Sequence, residues 1–357
     1  MKSFLQYIKF KSFSKHLYAL CGMIVLAFLL NILSFSSDKS TDSYEKFFKE
    51  NYHVFGMSLP KDLNFAGEKV PLNDFMIAES MDRELTSNVY FQSQTVMLIK
   101  RANRWFPIIE PILKRNGVPD DIKYIPLIES NLTNAVSPRG ATGFWQFMEP
   151  SGKNYGLEIT EEVDERYSVE KSTQAACDYF KDGYSKYNSW CMALAGYNYG
   201  FGAVAEQVKK QNTTNYFELL LPEETTRYVF RILALKEIVS NPKKYGFHIR
   251  KKDLYPPVKT QVVILDSSVT DFVSYARTFD LNYKTFKYFN PWLRQTYLTN
   301  TLKKKYQVLL PKGNYNEAYF YDMQHAEQNL SSDDSLKYFT RKDTGLEAKK
   351  VLNDTGK

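Results

Sequence analysis

The stretch Ile125–Gln146, IPLIESNLTNAVSPRGATGFWQ, sets one carboxylate, Glu129, among Ile125, Leu127, Ile128 and Leu132. A glycine-punctuated turn follows (Pro138, Gly140, Gly143) and leads into the aromatic run Phe144-Trp145-Gln146-Phe147. A carboxyl held against apolar and aromatic walls is poorly solvated when ionised, so its pKa rises. Such a group carries a proton at neutral pH and can deliver it, which is the general-acid half of glycoside cleavage. A lone glutamate on a helix is more often a surface charge, so the reading depends on what accompanies it.

Its company falls in one order. After Glu129-Ser130 come Ser137-x-x-Gly140-Ala141-x-Gly143-x-Trp145-Gln146-Phe147-Met148, then Tyr155-Gly156-Leu157, then Ala195-Gly196-Tyr197-Asn198-Tyr199-Gly200. With these motifs the chain resembles the membrane-bound lytic murein transglycosylases of the D type, whose SLT catalytic domain is similar to goose-type lysozyme. The resemblance covers roughly residues 55–247 well and the C-terminal region more loosely. It implies a mainly α, lysozyme-like helical domain with a small β-hairpin.

It also implies roles. Glu129 would serve as single general acid and then base, cleaving the bond between N-acetylmuramic acid and N-acetylglucosamine without water to leave 1,6-anhydro ends. By motif position Ser137 and Gln146 would line the muramic subsite, with Tyr197 and Asn198 facing Glu129 from the other side. A phenol there could donate a hydrogen bond to the acid or to the acetamido group on the oxocarbenium side. Tyr197 also reads as a core tyrosine on an amphipathic helix, and Ser137 and Gln146 as turn and hairpin residues. Trp145 and Phe147 read as core.

Glycosidases ordinarily use two carboxylates, about 5–5.5 Å apart for retention or about 6.5–9.5 Å apart for inversion. Glu149, Glu158, Glu161, Glu162, Asp164 and Glu165 are candidates by number, each readable as a surface charge, so a muramidase hydrolysing the same bond stays open. A non-catalytic wall-binding scaffold is the other alternative. The chain departs from the family pattern at Met148-Glu149-Pro150-Ser151, at Glu224-Thr225-Thr226 and at Gly196, where the family has a second alanine.

The 357 residues suggest about two domains. Of the net charge of +7, +4 sits on Lys2, Lys9, Lys11 and Lys15, with no acid before Asp38. The body is nearly balanced, and nothing in it points to nucleic acid. Four histidines without shared spacing and no Cys-x-x-Cys argue against a metal site, and no cofactor motif is present. Cys177 and Cys191 lie on apolar helical faces and read as buried thiols.

Residues 17–35 form an apolar run of nineteen. At about 1.5 Å per residue it spans roughly 28 Å, close to a bilayer core. Lysines precede it, so the positive-inside rule places the body outside the cytoplasm. The expectation is a basic cytoplasmic segment (1–16), a single-pass inner-membrane anchor (17–35) and a periplasmic body; signal cleavage is the alternative. The partners implied are peptidoglycan glycan strands and the inner membrane.

A stalk and wrapping segment is expected over 36–87, with prolines and glycines too frequent for long helices as far as Leu85. The catalytic domain takes 88–250. Within it Pro107 and Pro111 should break the helical run, Asp120 should cap the helix carrying Glu129, and a bend is expected at Pro126. Ser168, Ser189 and Pro222 each open a helix. Residues 258–312 show a β-α-α-β pattern that resembles a degenerate LysM module, with Asp266-Ser267-Ser268 where Gly-Asp-Thr is usual. The polar composition of 325–357 reads as a disordered tail.

Overall fold

The computed structural model describes residues 53–326, with short helical pieces at 23–26, 29–30, 45–46 and 48–50. The chain forms two compact units, residues 1–56 and 57–357. In the first, Lys46–Glu50 and Lys49–Glu45 pair at helical i,i+4 spacing. The expected cytoplasmic segment (1–16), most of the 17–35 anchor and the tail from 327 to 357 lie outside the described residues. No helix among the described residues is long and apolar enough to cross a membrane.

The second unit is mainly helical, with small two-stranded sheets and two separate hydrophobic cores. It opens with a hairpin of β1 (Asn64–Phe65) and β2 (Glu68–Lys69) and continues into α1 (Phe75–Tyr90). A sixteen-residue helix here corrects the expectation that this segment lacks long helices. The breakers end at Pro71; Asp74 then caps α1 by accepting from Met76 and Ile77 N–H. Ile77, Met81, Leu85 and Val89 recur every four residues and all enter the larger core.

Three acids fasten this opening segment to the helices behind it. Glu68 accepts from Ser189 Oγ at 2.8 Å and from the Trp190 N–H. Buried Glu84 pairs with Arg227 at 2.7 Å. Asp121 accepts from Ala66 N at 2.6 Å and pairs with Lys236.

Helix α2 (Gln92–Arg115) runs unbroken through Pro107 and Pro111, contrary to expectation. Its buried stripe of Leu98, Ile99, Ala102, Phe106, Ile109 and Leu113 packs against α5 (Val169–Tyr187), and tertiary burial outweighs the local loss of helical hydrogen bonds. Asp120 is not a helix cap. It opens a 3-10 turn, Asp120–Tyr124, and pairs with Lys123. The bend expected at Pro126 takes the form of this change from 3-10 to α. Helix α3 (Ile125–Ser130) starts afresh with Pro126 in its first turn, where a missing N–H costs no internal bond.

Helix α4 (Glu149–Asn154) follows the site loop. Ser168 caps α5 through Lys171 N–H, and Ser189 caps α6 (Trp190–Tyr199) through Met192 N–H, as the sequence indicates. Helix α7 (Phe201–Gln211) comes next, and α8 (Glu223–Ser240) begins after Pro222. Gly196 has a packing reason: a Cβ there would lie 2.2 Å from the Phe201 ring, which settles against α6 at that point.

The smaller core belongs to a β-α-α-β module. Strand β3 (Thr260–Leu265) pairs antiparallel with β4 (Tyr306–Pro311), Val263 opposite Val308. Between them lie α9 (Phe272–Arg277) and α10 (Tyr283–Phe289), and α11 (Tyr315–His325) follows. Asp271 caps α9, accepting from Val273 and Ser274 N–H.

Candidate active site

Helix α3 is only six residues long, and Glu129 is its penultimate residue. Two successive left-handed residues, Asn131 (φ 53°) and Leu132 (φ 54°), end it. A leucine at positive φ costs on the order of 1–2 kcal/mol. That cost is offset by burial of Leu132 at 1% exposure and by Arg101 donating to Asn131 O at 3.0 Å. Ser130 ties the helix to the loop that follows, donating from Oγ to Phe144 O at 2.8 Å. The acid is thus clamped on both sides.

Glu129 is half-buried. Burial pushes its carboxyl above the usual carboxylate range, and the exposed Glu224 carboxylate pushes the same way. The Tyr228 hydroxyl, donating to Oε1, and the Arg231 guanidinium pull in the opposite direction. Burial is the largest of these effects, so the charged form is disfavoured.

Tyr228 is a site residue that sequence reasoning missed. It lies on α8, 1% exposed, and burial together with the Glu129 charge raises its phenol well above the normal value, so it stays a donor. The available signal was its position four residues before Ile232 on the apolar stripe of α8. A tyrosine so buried needs a partner for its hydroxyl. Tyr228→Phe is expected to raise the Glu129 pKa further, because the lost bond favours the carboxylate. The alkaline limb of the turnover–pH profile should move to higher pH and the maximal rate fall about tenfold. An unmoved limb would show that the phenol does not tune the acid.

Tyr197 stands differently from expectation. Its phenol donates to Trp145 O rather than to Glu129, and its ring stacks on Phe180 at 4.8 Å and meets Tyr179 edge-on at 5.0 Å. It is nonetheless near enough that the Glu129 charge helps raise its pKa. Asn198 Oδ1 accepts from Thr225 Oγ1 at 2.8 Å, joining the end of α6 to the first turn of α8.

Ser137 and Gln146 lie on the loop after α3. Ser137 Oγ accepts from Ala141 N at 3.0 Å, a turn role. Gln146, at φ 50°, donates from Nε2 to Ala135 O at 3.0 Å and to Gly143 O at 2.8 Å. Around Trp145 the expected hairpin reduces to isolated bridges, Val136 with Thr142 and Thr142 with Phe147. The turn at Gly140–Gly143 is too tight for paired strands of any length. Trp145 and Phe147 are buried, with Trp145 Nε1 donating to Thr173 Oγ1 at 2.9 Å, so both are core.

The numbered alternatives for a second carboxylate are mostly engaged elsewhere. Glu149 pairs with Lys153, Glu158 with Lys304, Asp164 with Arg166 and Glu165 with Lys171. Glu162 accepts from Thr299 N at 2.6 Å, and Glu161 lies 3.5 Å from the Gln295 side chain. The carboxylate whose charge reaches Glu129 is Glu224.

Comparison with known proteins agrees with the motifs. Residues 106–220 match the transglycosylase SLT domain family, and residues 261–314 match the soluble lytic transglycosylase C-terminal LysM-like domain. The chain is 32% identical over 190 residues to membrane-bound lytic murein transglycosylase D of Escherichia coli, covering 52% of this chain and 41% of that protein. It is 26% identical over 160 residues to a putative tributyltin chloride resistance protein of an Alteromonas species, covering 43% of this chain and 77% of that one. The crystal structure of an inactive mutant of the lytic transglycosylase Slt from Pseudomonas aeruginosa aligns at 20% identity and a TM-score of 0.33, over 42% of this chain and 26% of that one. The chain thus spans about two fifths of the Escherichia coli relative.

Proposed function

We propose that this protein is a peptidoglycan lytic transglycosylase with a goose-lysozyme-like catalytic domain over residues 88–250, held at the inner membrane with its body in the periplasm. The observation that carries the proposal is the desolvated Glu129 carboxyl with Tyr228 donating to it, inside the segment similar to SLT transglycosylases. Protonated Glu129 gives its proton to the glycosidic oxygen between N-acetylmuramic acid and N-acetylglucosamine, and the C1–O bond breaks. The resulting carboxylate takes the proton from the muramic 6-hydroxyl as that oxygen bonds to C1. The product is a 1,6-anhydro end, and Glu129 has cycled from acid to base and back to acid.

A raised pKa suits both steps, because one group must hold and then recover a proton near ambient pH. Tyr228 steadies the carboxylate formed between them. In this reading Ser137 and Gln146 line the muramic subsite and Tyr197 and Asn198 face Glu129 from the other side, supported by the loop and helix ends that their hydrogen bonds fix. The apolar run at 17–35 and the name of the Escherichia coli relative support the membrane placement.

Glu224 favours one second reading, a muramidase in which a second carboxylate assists water. Mass spectrometry of muropeptides released from sacculi by the purified protein separates the two. Anhydro-muramic ends, lighter than the reducing sugar by one water, are expected; reducing ends alone would leave hydrolysis.

A further inference from the structure

A second set of charged groups is buried away from Glu129. Asp164 and Arg166 are 6% and 8% exposed. Arg166 Nε and Nη2 donate to the two Asp164 oxygens at 2.9 and 2.7 Å, and Nη1 reaches Gly140 O and Phe147 O, both at 3.2 Å. Those two carbonyls bracket the part of the loop that carries Gln146. The loop has little regular pairing of its own, only isolated bridges, so its shape depends on such outside anchors.

The C-terminal module also holds residues 158–167. Asp164 N donates to Trp292 O at 2.8 Å, and Arg294 N donates to Glu162 O at 2.7 Å. Lys304 and the Tyr306 hydroxyl hold Glu158, and the Arg294 guanidinium sits 3.8 Å over the Tyr167 ring. Val163 is buried in the module's core, beside a bridge to Leu293.

We propose that Arg166 is a positioning residue for the Ser137–Phe147 loop and that the C-terminal module, docked on residues 158–167, is an intramolecular brace that holds it there. The proposal rests on Glu129 being the reacting acid, since that is what makes the loop's placement matter. Neutralising Asp164 requires only a cation. Reaching two carbonyls as well requires the planar fork of arginine, which the point charge of lysine does not reproduce. The module edge between Trp292 and Thr299 is spent on this docking.

Two variants of the full-length protein test it. Arg166→Lys keeps the charge opposite Asp164 and removes the carbonyl anchors. It is expected to raise KM for soluble glycan strands about tenfold while kcat stays within about twofold, the split expected for a loosened binding loop. The triple variant Arg294→Ala/Lys304→Ala/Tyr306→Phe strips the dock of its side-chain contacts with Glu158 and Tyr167, leaving its backbone bonds, without touching the loop. Its amide hydrogen exchange over residues 135–147 should quicken about tenfold while that of α6 holds. Wild-type KM in Arg166→Lys, or exchange that is unchanged or quickened uniformly in the triple variant, would overturn the brace. If Arg166→Lys fails to fold, the exchange measurement decides. If the wild-type protein turns over no glycan, the proposed function fails while exchange still tests the brace.

Discussion

Glu129→Gln is expected to lose turnover by about 10²–10⁴-fold or more while still binding sacculi, because the amide fills the same space but has no proton to give. The Tyr228 hydroxyl can go on donating, now to the amide oxygen, so the surroundings need not rearrange. The same substitution has a signature in stability. Burial raises the carboxyl, so over the window between an ordinary carboxylate pKa and the raised one the folded chain holds a proton that the unfolded chain has released. The stability tied to that proton is complete below the window and is lost as pH rises through it. Glutamine has no charge to desolvate. The variant should therefore melt above the wild type at neutral pH, and the two should converge below about pH 4. A variant melting lower at neutral pH would mean that Tyr228 and Arg231 outweigh burial, and the acid would be poised as a carboxylate.

Much of this site could be read from residue order, because its determinants are local. The apolar residues that mark Glu129 as more than a surface charge lie within four residues of it. Ser168 and Ser189 announce α5 and α6, since a cap is a bond to an N–H three residues on. The β-branched, apolar run Gln261-Val262-Val263-Ile264-Leu265 likewise marks β3.

What escaped the sequence lies across long separations. Tyr228 meets Glu129 over 99 residues of chain, and nothing within its own window separates it from an ordinary core tyrosine. The proline-bearing α2 continues because α5 covers its apolar stripe, a stabilisation that no local propensity contains. The acids from Glu158 to Glu165 look like a solvated run until Trp292, Arg294 and Lys304 come to meet them from the module. The partner of the Tyr197 phenol was not legible either, because the direction of a hydroxyl depends on which carbonyl lies in reach. Here that carbonyl is Trp145 O.

Gly143→Ala is expected to be the most damaging small substitution outside Glu129. Gly143 has φ +81°, and a Cβ built on it would lie 2.0 Å from Arg166 O and 2.8 Å from the carbonyl carbon. Both obstacles are backbone, in the segment that Arg166 and Asp164 fix from within and the module fixes from outside, so neither strand can yield cheaply. A loss on the order of 3 kcal/mol or more follows from the clash added to the left-handed strain. Gly140→Ala is the matched control. Its φ is +85° with nothing within 4 Å of the new Cβ, so it should cost only about 1–2 kcal/mol for the backbone conformation. Chemical denaturation of both variants checks the difference. Equal losses would show that conformational strain alone accounts for Gly143. A much larger loss at Gly143, with turnover falling alongside it, would show that the close crossing of the site loop over Arg166 holds Gln146 in register with Glu129.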